Sequence, residues 1–125
     1  MMEIALMFLV NRSALLVKQK KPYIDWANAL DEDGPRLSLD EPMKDSTVHL
    51  VDEIGHDSDI EEVVKKHYST IFEQELVAWH LVEKDWPEKR DLKTFQDWFE
   101  VKAHSMVLDV CDYALEFEEL NRSGT

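Results

Sequence analysis

The chain has 125 residues, 44% of them hydrophobic and 33% charged, and a net charge of −13. That length is enough for a single domain, residues 1–125, with its own core, and the acidic balance argues against nucleic acid or an anionic membrane as partner. The lone cysteine, Cys111, leaves no intrachain disulfide and fits a reducing cytosol.

The opening stretch "MMEIALMFLVNRS" carries an apolar run from Ile4 to Val10, too short to span a bilayer. It has Glu3 and no basic residue ahead of the run, unlike a secretory leader. Residues 1–11 are therefore expected to be an ordered extension or an extra strand, with Met7 as an alternative start. "SALLVKQK", Ser13 to Lys20, reads as the first main strand, apolar on both faces in its middle. Pro22 then stands where a helix tolerates a missing N–H, and "PYIDWANAL" follows as a short helix with Tyr23, Trp26, Ala27 and Leu30 on one stripe.

Residues 31–46 read as a loop with turn chemistry at Gly34-Pro35 and a single turn at Ser38 to Asp40. "TVHLVDEI", Thr47 to Ile54, alternates as a strand, with Val48, Leu50 and Asp52 on one side and His49, Val51 and Glu53 on the other. Ser58 with Glu61 makes a capping-box pattern ahead of a long amphipathic helix whose face includes Val63, Tyr68, Ile71, Phe72, Leu76 and Trp79. Pro87 ends that helix. Asp91 caps a new one, "DLKTFQDWF". "VKAHSMVLDVCDY" is predicted to be the last strand, central in the sheet because it is apolar on both sides near Met106 to Val110. "ALEFEELNRSGT" gives a last helical turn, and residues 118–125 a frayed polar tail. The order is β-α-β-α-α-β, an α+β fold in which a small three- to four-stranded sheet carries helices packed against it.

Motifs for chemistry are few. Three glycines allow neither a dinucleotide fingerprint nor a phosphate loop, so no nucleotide cofactor is expected. No metal site is expected either: there is no C-x-x-C or H-E-x-x-H, and His104 and Cys111 fall on opposite sides of the predicted strand. The serines lack the glycine-flanked elbow of a hydrolase, and Cys111 reads as a small apolar residue. No catalytic residue is assigned. What stands out is aromatic. Trp26, Trp86 and Trp98, with Asn28, Arg90 and His104 near them in sequence, are the residues that would wall a pocket. The competing reading makes the tryptophans core residues whose N–H groups bond neighbouring acids and amide.

Three segments, "PYIDWAN", "EQELVAW" and "WPEKR" followed by "FQDWF" and His104-Ser105, together resemble a family of small bacterial proteins that share a P-[YF]-[IVL]-D-W-A-N, E-x-E-L-x-x-W and W-P-x-x-R pattern. The resemblance covers Arg12 to Asp109. It implies a bacterial cytoplasmic protein and assigns no activity, cofactor or site residue. Charge supplies the functional expectation instead. Residues 31–62 hold twelve acids against Arg36 and Lys44. The expectation is a non-enzymatic, acidic interaction or accessory protein of the cytosol, with a basic protein as partner and a homodimer slightly favoured over a monomer. The alternatives are a small-molecule site or weak enzyme at the aromatic-polar group, and a DNA mimic that occupies a basic protein's groove.

Overall fold

The computed structural model describes residues 7–36 and 47–120. Two antiparallel sheets and three α-helices make an α+β fold. In chain order the elements are β1 (Phe8–Leu9), β2 (Ser13–Gln19), α1 (Lys21–Ala29), β3 (Thr47–Val51), α2 (Asp59–Trp79), a 3-10 turn (Glu83–Asp85), α3 (Leu92–Trp98), β4 (Phe99–His104) and β5 (Leu108–Asp109). The main sheet has the order β3-β2-β4, so the central strand is β2.

That corrects the expectation that the last strand is central. β2 is the strand buried along most of its length, Ser13, Ala14, Leu15 and Val17 all being inside. β4 instead alternates cleanly: Phe99, Val101 and Ala103 turn inward, while Glu100, Lys102 and His104 are exposed, as suits an edge strand. The predicted strand also divides after His104. Ala14 pairs with His104 and Leu9 with Leu108, so five residues on one strand span four on the other. One extra residue makes a bulge, and beyond it β1 and β5 continue as a two-stranded ribbon. Val10 N–H bonds the Val107 carbonyl at 2.9 Å within that ribbon. The buried Ser13 hydroxyl fastens the bulge: it donates to the Ser105 carbonyl at 2.9 Å and accepts from Ile54 N–H at 2.7 Å.

All three helices lie on one face of the main sheet and meet at Phe99. Its ring lies 5.5 Å from Tyr23 of α1, 5.3 Å from Phe72 of α2 and 5.1 Å from Phe95 of α3. Tilted and edge-on contacts of this kind add to what burial alone contributes. Leu15, Val17, Val51 and Leu76 complete this core. Tyr23 anchors α1 to α2 by donating its hydroxyl to the Glu75 carbonyl at 2.6 Å.

The helix ends differ in how they are capped. Asp91 caps α3 as expected from sequence, accepting from Thr94 N–H at 2.9 Å and from the Thr94 hydroxyl at 2.6 Å. Ser58 makes no capping bond. The chain there is already helical, and Asp59 instead reaches back to accept from His56 N–H at 3.1 Å, closing the turn that leads into the helix. α2 ends at Trp79, eight residues before Pro87, and residues 114–120 hold no helix. The turn expected at Ser38 to Asp40 lies outside the described residues.

Candidate interaction surface

The six residues named from sequence fall into two pairs and two outliers. Trp26 and Trp98 meet with ring centroids 6.1 Å apart, between α1 and α3, and both are half-buried. Trp86, only 4% exposed, carries the Arg90 guanidinium 5.7 Å from its ring. Arg90 is held by the Pro87 carbonyl at 2.6 Å. Asn28 lies on α1, where its carbonyl accepts from Arg36 at 2.9 Å. His104 ends β4 on the exposed side, across the sheet from the helices.

Three of the four indole N–H groups bond loop and helix carbonyls rather than side-chain acids. Trp26 donates to Asp85, Trp79 to Ala27 and Trp86 to His80, at 3.0, 3.1 and 2.8 Å. These three bonds tie the link between α2 and α3 to α1 and to the end of α2. The tryptophans therefore orient the helical layer.

Polar constellations appear at two other places. Asp52, just past β3, holds two partners from α2: Lys66 Nζ at 2.7 Å and His67 Nε2 at 2.5 Å. The bond from His67, then that from Lys66, keeps the Asp52 carboxyl far below the usual carboxylate range. An aspartate holding one imidazole nitrogen orients a histidine, yet no serine or cysteine is among the residues lining the cleft there. Glu75, 2% exposed, faces the sheet from α2. One of its oxygens accepts from Gln19 at 3.3 Å, and the other lies 3.8 Å from His49 Nε2. That separation is too long for a hydrogen bond, and both atoms are otherwise unpartnered. Among the described residues no group of three or more His, Cys, Asp or Glu side chains is placed to hold a metal ion.

An apolar cleft of about 470 Å³ opens between α2, α3 and β4, lined chiefly by Ile60, Val64, Leu92, Phe95 and Val101. Larger apolar surface lies elsewhere. On the ribbon, Phe8, Leu9, Met106 and Leu108 are exposed, and beyond it so are Val110, Tyr113, Leu115 and Leu120, with Phe117 at 93%. From Asp112 to Leu120 this arm is neither helix nor strand, and among the described residues its backbone makes no hydrogen bond to the body. Tyr113, Leu115 and Phe117 alternate with Ala114, Glu116 and Glu118, so in an extended chain they share one side. Sequence reasoning missed the arm because it ended the last strand at Tyr113 and read Ala114 onward as a helical turn. The signal that separates the two readings is Leu115, which fits the period of two and spoils a helical stripe.

The acidic segment 31–62 is described only in part. Within it Asp31, Glu32, Asp33, Glu53, Asp57, Glu61 and Glu62 are exposed, whereas the charge of Asp52 is matched by its two partners. No helix among the described residues is long and apolar enough to cross a membrane. Compared with known proteins, the chain matches no family model, no curated protein and no solved structure. The motif resemblance therefore adds no residue role to this surface.

Proposed function

We propose that the protein is a non-enzymatic interaction protein of the cytosol whose binding element is the ribbon and arm formed by residues 7–9 and 106–120. The observation that carries this reading is the run of large apolar side chains there, exposed on a chain whose core is otherwise well filled. A contiguous apolar patch rimmed by polar groups is what an interface needs before its partner arrives. Asp109, Asp112, Glu116, Glu118 and Glu119 are interleaved with these residues, which disfavours an anionic lipid surface and favours a protein groove that is apolar with a basic rim.

The test compares wild-type protein with Leu115→Glu/Phe117→Glu as immobilised baits in a cell extract. Both substitutions fall on exposed side chains, so the variant is expected to fold. The reading predicts bound protein that the variant loses and that rising salt releases. Capture that is indifferent to both would end it.

A second reading, a small apolar ligand in the cleft between α2 and α3, is favoured by that cleft's volume and its lining of Ile60, Val64, Leu92 and Phe95. A thermal-shift screen with small apolar compounds tests it. A hit that Val64→Glu abolishes would support it, and no hit would count against it.

A further inference from the structure

The arm calls for an apolar surface with a basic rim, and the chain carries one. Among the described residues the helices cover only one face of the main sheet. The opposite face presents Leu16 and Lys18 from β2, next along the strand from the buried Ala14, Val48 and Leu50 from β3, and Glu100, Lys102 and His104 from β4. Cross-strand register brings the apolar members together: Leu50 lies beside Ala14 and Val48 beside Leu16. Lys102 is opposite Leu16 on the other side, and His104 opposite Ala14. Val48 and Leu50 are each more than half exposed. Lys18 and Lys102 flank this strip, and Glu100, the one acid among these strand positions, is the cross-strand partner of Lys18, which leaves one positive charge in excess there on a molecule whose net charge is −13. A locally basic apolar strip and an acidic apolar arm are complementary in both respects.

We propose that the arm of one copy docks on the open sheet face of a second copy, so that two copies exchange arms about a two-fold axis. This rests on the reading of the arm as the binding element and names its partner. Exposure favours a second copy over the arm's own sheet. β4 and β5 run the same way along their common partner chain to Asp109, and after the bends at Asp112 and Tyr113 the side chains of Tyr113, Leu115, Phe117 and Leu120 stay exposed rather than packing on that sheet. A two-fold axis makes the two arm-to-face contacts identical and closes the assembly at two. Size is adequate as well. Four aromatic rings, Tyr113 and Phe117 from each arm, bury roughly 150–250 Å² apiece. With the surface they cover, they reach the roughly 1,200–2,000 Å² of a stable interface.

The experiment is sedimentation velocity of the full chain over a wide concentration range, with two variants. The arm variant is Leu115→Glu/Phe117→Glu and the face variant is Leu50→Glu/Lys102→Glu; circular dichroism first confirms that each keeps the wild-type fold. Wild type is expected to pass from monomer to dimer as concentration rises, and each variant alone to stay monomeric. Mixing the two variants is expected to give a one-to-one pair weaker than the wild-type dimer, since the face variant's arm can still dock on the arm variant's face while the reciprocal contact stays broken. A mixture no more associated than either variant alone, a face variant that dimerises like wild type, or growth beyond a dimer would each overturn the exchange. A wild type that is monomeric throughout overturns it too. In that case, arm-dependent capture of another protein would leave the reading of the arm standing, and capture indifferent to the arm would remove both.

Discussion

Ser13 joins three segments with one hydroxyl. It is fully buried, donates to Ser105 and accepts from Ile54, so the bulge, the ribbon and the loop after β3 all depend on it. Ser13→Ala leaves little cavity but strands the Ile54 N–H inside the protein. The expected cost is about 1–3 kcal/mol, read as a lower midpoint in urea unfolding. Asp52 gives a pH-dependent prediction. Its carboxyl ionises in the folded protein well below the value of about 3.9 that it has in an unfolded chain. A depressed folded-state pKa contributes stability that is complete above the unfolded value and is lost as pH falls through the folded one. Asp52→Asn is therefore expected to lower stability at neutral pH, with the gap from wild type closing below about pH 4. Unfolding midpoints of both proteins across that range check it, and a gap that persists in acid would contradict the assignment. Because the group is exposed, added salt is expected to narrow the gap at neutral pH.

Among the elements, the link between α2 and α3 separates core from surface most clearly. Trp86 is buried and bonded to the end of α2, whereas His104 is exposed on the far side of the sheet. Trp86→Ala is expected to cost about 3–5 kcal/mol and His104→Ala less than about 0.5 kcal/mol, both by chemical denaturation. Asp91→Ala is expected to lower the thermal midpoint by freeing the first turn of α3, since Thr94 N–H loses its acceptor. Much of this architecture was legible in the chain. The alternation of Val48, His49, Leu50 and Val51, the stripe through Phe72 and Leu76, and the cap at Asp91 each follow from local geometry, and so did the α+β order. What local pattern does not encode is which strand is central. That depends on which strand finds neighbours on both edges, and the apolar run near Met106 to Val110 looked like a buried strand because composition does not distinguish buried apolar residues from exposed ones. Ser58 likewise has the sequence of a cap, yet the chain there is already helical and Asp59 closes the turn from His56 instead.

At the scale of the molecule, the described residues place helices over one face of the sheet and leave the other open, and a ribbon carries an apolar arm beyond both. The aromatic-polar residues chosen from sequence are divided between the helical layer and the opposite side of the sheet, and the largest exposed side chains are on the arm instead. An arm without backbone bonds to its own body exchanges its amide hydrogens freely until something covers it. Hydrogen exchange of residues 110–120, followed by mass spectrometry in dilute and in concentrated protein, tests the arm as a binding element most directly. Rapid exchange when dilute and slowed exchange when concentrated is the expected result, with the open-face strands β3 and β4 changing alongside the arm. Slow exchange in dilute protein would mean that the arm packs on its own chain, and rapid exchange in every associated state would mean that it binds nothing.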